Sequence, residues 1–454
     1  MKKNSELKTI LILGFPLLAG RLSHYFHTVT DSMMLGHFKE GSQELAAIAV
    51  AGMFIWIFNT FLWPLGNGVQ AITTRREGEE SIKENRSFHH IGEVLDNGLF
   101  TALLVAFVAI IGSFSAYFII PFLISDTHVA DLALQYINIM RWAFIPFGFT
   151  MVLQRFFSSI HKTRYVMFAS VLSNGLNILL NYFFIFGKMG FPALGIEGAA
   201  WGTVISQVVS LGYMLLVFLT DRSIYKYRAL RFKKIQVSLM KNIIRLAFPL
   251  GLQNSMFFII LLLYESMVEN QGAMYLAAIH VAFSAFRINK TIVGGFAHAG
   301  AILVGNALGA GDYQKARKVV RTNYQLGLVI GLLAFCFFFF MPETLAKAFS
   351  SNRETLATMA EALRFFSFFY LAEIIGFSFE MIFGNNGWAK FVLYSELMTN
   401  WVFIIGFSFL MNLLFPGNYT LVWLGFGLYQ IFHSLILHGG YLSKRWINVK
   451  LEKD

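Results

Sequence analysis

The chain has 454 residues, of which 56% are apolar and only 13% charged, against about 25% charged in an ordinary soluble domain. So few charges cannot cover a soluble protein of this size, so lipid replaces water as the main outer solvent. The formal charge of +11 does not point to nucleic acid, because the basic residues stand in short segments between apolar runs, as anchors at a membrane surface do.

Fifty Phe are too many for one core but suit helices that are greasy on most faces. Cys336 stands alone, which excludes disulfides within the chain and thiolate metal sites. The first 26 residues have a basic head and an apolar stretch like a signal peptide. They lack a small-x-small cleavage site and are interrupted by Arg21 and His24, so they read as a retained first helix.

Apolar runs long enough to cross a hydrocarbon layer of about 30 Å at about 1.5 Å per residue fall at 9–35, 45–72, 92–118, 133–160, 165–186, 195–219, 243–268, 276–305, 322–341, 357–383, 390–414 and 419–441. The fourth, eighth and tenth are the least clean, since Arg155, Arg287, Lys290 and Glu373 lie within them. One side of these twelve spans collects Lys2, Lys3, Lys8, Arg75, Arg76, Lys83, Arg86, Lys162 and Arg164. It also collects the segment Arg222 to Arg245, then Lys315 to Arg321, Lys390 and the tail Lys444 to Lys453. The other side shows only Lys39, Lys188, Lys347 and Arg353. Such an alternation places both termini in the cytoplasm.

The longest basic connection falls mid-chain and invites a comparison of the halves. Phe15-Pro16-Leu17 opens the first span and Phe248-Pro249-Leu250 the seventh, 248 − 15 = 233 residues apart. Leu45-Ala46-Ala47-Ile48 and Leu276-Ala277-Ala278-Ile279 open the second and eighth spans at 276 − 45 = 231. The fold class is therefore an all-α polytopic membrane protein with twelve transmembrane helices in two pseudo-symmetric six-helix lobes. Residues 1–220 form the first lobe, 221–242 a basic linker and 243–454 the second lobe and tail. Transport proteins use such duplications to rock one lobe against the other.

A charge in a membrane helix costs about 2.5–3.5 kcal/mol on insertion scales, so each needs a reason. Arg21, His24, His27 and Asp31 follow one face of the first helix. Either Asp31 snorkels at the far interface, or the stripe lines a cavity or another helix. Pro16 removes a backbone hydrogen bond and permits a bend. The eighth helix has a second stripe: His280, Ser284, Arg287, Thr291 and His298. Asn254 and Glu265 lie on the seventh helix, Glu373 and Glu380 on the tenth. A buried Arg needs an anion, so Arg287 is expected to meet Glu265 or Glu373, either as a fixed ion pair or in coupling. Asn174, Asn177 and Asn181 follow i, i+3, i+7 spacing on the fifth helix, to hydrogen-bond a substrate or ion or to glue helices together. Gly198-x-x-x-Gly202 and Gly305-x-x-x-Gly309 read as close packing.

HExxH, GxSxG and Walker A signatures are missing, and no soluble domain exists to bind ATP, so the chain is expected to be no enzyme and to use an ion gradient. Three stretches carry a resemblance. They are "FPLLAGRLSHYFHTVTDSMMLG", with Pro16 and Asp31 fifteen apart, "LNILLNYFFIFGKMGFPALGIEGAAWGT" from Leu176, and "LVGNALGAGDYQKAR" from Leu303. On these the chain resembles the multidrug and toxic compound extrusion (MATE) transporters, in particular their NorM-like branch, from Phe15 to about Trp446.

The resemblance implies a V-shaped pair of bundles in the bacterial inner membrane. These would act as a monomer, without cofactor, exporting cationic amphipathic compounds in exchange for H⁺ or Na⁺. It implies that Asp31 is the coupling acid, faced by Asn174, Asn177 and Asn181. Two departures stand against it. The seventh-helix acid of NorM proteins falls at Phe257 and their tenth-helix acid at Ala372 or Glu373, while the turn "TTRREGEESIKEN" is unusually charged. His24 and His27 beside Asp31 favour H⁺; a Na⁺ ion near Asp31 or Glu373 is the alternative. Competing readings are a lipid-linked oligosaccharide flippase of the same superfamily, a lipid-modifying membrane enzyme and a non-transporting receptor.

Overall fold

A computed structural model describes residues 5–36, 42–349 and 352–452. Lys2, Lys3, Lys39 and Lys453 of the charge count lie outside the described residues. No strand occurs among the described residues, as expected where lipid leaves every backbone group to be satisfied within its own segment.

The spans are α1 Ser5–Gly36, α2 Ser42–Ser81, α3 His89–Ser113, α4 Thr127–Ser159, α5 Thr163–Phe186 and α6 Ile196–Thr220. They continue with α7 Val237–Glu269, α8 Ala273–Gly309, α9 Tyr313–Phe340, α10 Arg353–Gly384, α11 Ala389–Leu414 and α12 Tyr419–Leu442. Eleven are long and apolar enough to cross a membrane on their own; α10 is a pair, Arg353–Ser367 and Tyr370–Gly384, bent by 55°. The count of twelve therefore holds with α10 as one broken span.

Of the three spans that charge made least clean, α8 is a continuous helix. The other two are interrupted. In α4 a 3-10 turn, Arg141–Ala143, precedes Pro146, which has no N–H to offer the Trp142 carbonyl one turn back. In α11 a π-helical stretch, Asn400–Phe407, begins one turn after Glu396. α1 is helical through Pro16.

The chain divides into two compact units. The first holds Phe15–Gly251 with Leu451–Asp454; the second holds Met1–Gly14 with Leu252–Lys450. The divisions fall inside α1 and α7, next to the two Phe-Pro-Leu motifs, and not in the 221–242 connection.

In the second unit α8 is central, because its run of Gly and Ala from Gly294 to Gly309 lets neighbours approach closely. A methyl group on Gly300 would collide with Asn323, whose Nδ2 donates to the Phe296 carbonyl at 2.8 Å. Nearer the start of α8, Phe286 packs against Phe366, Tyr370 and Phe426, and Phe366 against Trp423.

In the first unit the 221–236 segment is strapped onto α3. The Asp96 carboxylate accepts from the backbone N–H groups of Leu230, Arg231 and Phe232 at 2.5, 3.2 and 2.9 Å. Asn97 accepts from the Gln236 N–H at 2.7 Å and donates to the Lys234 carbonyl at 3.1 Å. Arg228, Leu230 and Phe232 all have positive φ, which costs a non-glycine residue about 1–2 kcal/mol each. The strap is held in that shape by what Asp96 supplies. Its entry is fixed at Asp221, which accepts from Ser223, Lys162 and Tyr165. These bonds, led by that from the Ser223 hydroxyl, hold the Asp221 carboxyl below its ordinary range.

Asp96→Ala should free the strap and strand three donors, at about 1–3 kcal/mol. The expected result is faster tryptic cleavage after Arg231, Lys233 or Lys234 than in the unaltered protein. An unchanged cleavage rate would show that Asp96 is not what holds the segment.

The charged turn after α2 is largely self-paired. Glu80 accepts from Lys83 at 2.5 Å and from the Ser87 N–H at 2.7 Å, and Arg76 meets Glu452 at 2.6 Å.

Candidate functional site

The polar side chains of α1 and α5 converge in the first unit. Small residues let these helices approach: a methyl group on Gly20 would press on Ser170 of α5. On the other face of α5, Gly198 and Gly202 of α6 lie against the Phe184–Ile185 backbone and Asn181. The Gly198-x-x-x-Gly202 spacing therefore does pack closely, and it presses the asparagines toward α1.

Asp31 is the centre of the cluster. Its Oδ2 lies 3.1 Å from Nε2 of His27 one turn earlier, and its Oδ1 accepts from Asn181 Nδ2 at 2.8 Å. The Asn177 amide is satisfied when its oxygen faces the Thr203 hydroxyl at 3.1 Å. Its nitrogen then lies 2.8 Å from His27 Nε2 and 3.1 Å from Asp31 Oδ1. Asn174 donates to Ser23 Oγ at 2.9 Å. His24 stacks on His27 with ring centroids 5.8 Å apart, and its side chain is exposed. Asn177 and Asn181 are buried while Asp31 keeps about a fifth of its side chain open, 21%. Such an arrangement presents one carboxylate to an aqueous or ligand-filled space, with its other contacts fixed by amide and imidazole groups.

The structure thus brings Asp31, His27, Asn177 and Asn181 together, with His24 and Asn174 adjoining. Arg21 neighbours Arg155, whose guanidinium faces Gln70 Oε1 at 3.3 Å. Ser23 and Thr203 belong to the same network and carry no signal in the sequence beyond being polar.

In the second unit the expected Arg287 pairing is corrected. Arg287 is exposed and, among the described residues, meets no carboxylate. Lys290 takes that place, with Nζ 3.7 Å from Oε1 of the buried Glu373 and 5.5 Å from the Phe377 ring centroid. Three residues further along α8 moves a side chain about 4.5 Å along the axis, enough to change which group reaches Glu373. Glu265 meets His280 instead, Oε1 to Nδ1 at 3.7 Å. Glu380 accepts from Gln253 Nε2 at 2.8 Å, and the same nitrogen donates to Glu396. Gln253 and Glu396 do not stand out in the sequence, and Lys290 does so only as a charge within the eighth span.

A family model described as MatE matches residues 16–183 and 249–410. The chain belongs to the MatE family. The two matched blocks start at Pro16 and Pro249, 249 − 16 = 233 residues apart, the separation of the two Phe-Pro-Leu motifs. As a MatE protein it is a multi-pass membrane transporter and not an enzyme.

Among curated relatives it is similar to a probable multidrug resistance protein NorM of Agrobacterium fabrum, 26% identical over 80% of this chain and 76% of that one. It is also similar to the probable multidrug resistance protein NorM of Thermotoga maritima, 22% identical over 97% and 93%. Its fold matches an outward-facing multidrug resistance MATE family transporter of the MOP superfamily, with a TM-score of 0.88 at 19% identity over 99% of this chain and 98% of that one. It also matches a MATE crystal structure in the bent conformation, with a TM-score of 0.86 at 20% identity over 98% and 95%.

Proposed function

We propose that this MatE protein exports cationic amphipathic compounds in exchange for protons by alternating access, with both termini on the cytoplasmic side of a bacterial inner membrane. The observation that carries the reading is the Asp31 cluster. It is one partly open carboxylate in a lipid-embedded bundle, with no Lys or Arg within ion-pair distance among the described residues. An acid in that position without a permanently charged partner is suited to hold a proton or a cation in turn and unsuited to a structural ion pair. The relatives' names, as multidrug resistance proteins, support the substrate class.

The surroundings of Asp31 favour a proton over Na⁺. Hard cations take a shell of oxygen ligands, whereas the described side chains that reach the carboxylate do so with nitrogens, those of His27, Asn181 and Asn177. Protonating Asp31 removes its attraction for a cationic substrate, so the two ligands exclude one another. That exclusion couples the flow of one to the flow of the other. Membrane lipid is then the only standing partner, and a single chain suffices.

The test is dye efflux from vesicles under separately imposed gradients. A pH gradient without Na⁺ should drive export of a cationic dye, and a Na⁺ gradient at equal pH should not. Export driven by Na⁺ alone would overturn the proton assignment.

A further inference from the structure

The second unit holds a group of side chains that the proposed proton exchange does not use. Glu380 of α10, Glu396 of α11 and His433 of α12 each offer one ligand atom, and these atoms all lie within 4.8 Å of one another. Glu396 is 6% exposed and His433 4%, while Glu380 is half-buried. Buried carboxylates next to each other are costly unless something positive lies between them. The imidazole supplies no charge while neutral, and its state is the second, independent observation. Neither ring nitrogen of His433 makes a hydrogen bond of acceptable geometry, although the Ser395 backbone lies nearby. A buried imidazole turned toward two carboxylates, with its nitrogens unused, has the form of a ligand waiting for a metal.

Two further details fit. Glu373, Glu380 and Glu396 face a single ammonium, Lys290, which is in electrostatic reach of all three. With all four groups charged the surplus is 3 − 1 = 2 negative charges, the amount one divalent ion cancels. Gln253 Nε2 now bridges the Glu380 and Glu396 carboxylates, while its Oε1 is buried without a partner. A half-turn of that amide, an interchange of nearly isosteric atoms, would put its oxygen between the carboxylates. That is repulsive on its own and favourable with a cation there. The amide oxygen is then a fourth ligand.

We propose that Glu380, Glu396 and His433, with Gln253, form a binding site for one divalent transition-metal ion of the Zn²⁺ class. The imidazole decides the class, since Na⁺, Mg²⁺ and Ca²⁺ prefer oxygen-only shells whereas Zn²⁺ takes imidazole and carboxylate together. Four ligands at about 2.0–2.2 Å around Zn²⁺ lie about 3.3–3.6 Å from one another, inside the 4.8 Å within which these atoms stand. The proposal does not depend on the efflux reading, because it concerns binding and not transport.

The test uses untagged, full-length protein in detergent, stripped with a chelator and titrated with Zn²⁺ against a competing indicator. One equivalent should bind, and millimolar Mg²⁺ should not displace it. Glu396→Gln and His433→Gln should each weaken that equivalent on the order of 100-fold, at the upper end of what perturbing a metal's surroundings costs. The combined change of His89→Gln and His90→Gln at the exposed end of α3 should not weaken it. Co²⁺ in the unaltered protein should give the visible absorption of a four-coordinate site, which needs no variant to fold. Absence of a bound equivalent, equal binding by His433→Gln, displacement by Mg²⁺, or a featureless Co²⁺ spectrum would each overturn the proposal.

Discussion

Asp31→Asn should reduce proton-driven dye efflux to the level of vesicles without protein, with a yield of folded protein near that of the unaltered chain. The amide has the shape of the carboxyl group, and its oxygen can still accept from Asn181, now at 2.8 Å from Oδ1. Packing around α1, α5 and α6 is therefore kept. What is lost is the only group in the cluster that can alternate between a negative and a neutral state by losing and gaining a proton. Transport depends on that alternation, so the effect is complete and not graded. Binding should change with it. In the unaltered protein protons and the cationic dye compete, so dye affinity falls as pH falls; in Asp31→Asn the affinity is low and flat with pH. A variant that exports at the original rate would remove Asp31 from the mechanism and move attention to Glu373.

The second large effect is expected on stability. Lys290→Met removes the ammonium that faces Glu373, whose carboxylate oxygens are buried and make no hydrogen bond of normal geometry. Breaking a buried pair by removing one partner costs about 3–5 kcal/mol. The lower end applies here, because Lys290 keeps 35% of its side chain open to solvent exchange. Metal-free protein should then show a sharp drop in the temperature at which it loses its monodisperse elution. Adding Glu373→Gln removes the stranded charge and should recover most of that loss. Arg287→Ala should be nearly silent, within about 0.5 kcal/mol, as for a surface substitution away from any special contact. A silent Lys290→Met, or an Arg287→Ala as harmful as Lys290→Met, would show that Glu373 is held otherwise.

The difference between Arg287 and Lys290 illustrates what the sequence can and cannot convey. Topology was legible because hydrophobic length and the Lys/Arg alternation are properties of segments, and a few residues of error do not disturb them. The Asp31 cluster was legible for a related reason. Its members repeat at helical spacing along only two helices, so periodicity alone puts them on common faces. The groups around Glu380 are different. Gln253, Glu380, Glu396 and His433 sit singly on α7, α10, α11 and α12, and no periodicity links them. Their meeting depends on the 55° bend within α10 and on the π-helical stretch that follows Glu396. Neither has a Pro at the break to announce it. Choosing between two cations three residues apart on α8 requires the axial offset of one helix against another, which only packing determines.

The place where the two compact units divide bears on how the chain is made. Residues 1–14 are made ahead of the first unit yet belong with 252–450, whereas 237–251, the opening of α7, belong with the unit made before it. Glu6 pairs with Lys318 at 2.7 Å, and Gly251 lies against the Thr60 carbonyl. Each half of the duplication has thus lent its opening segment to the other, the reciprocal exchange that characterises a domain-swapped dimer, here within one polypeptide. Leu451 and Glu452 return to the first unit through Arg245 and Arg76. Neither unit is therefore contiguous in sequence: the second takes residues made before the first unit, and the first takes residues made after the second. Insertion into the membrane can proceed span by span, but neither bundle can be completed before the spans of the other have been made.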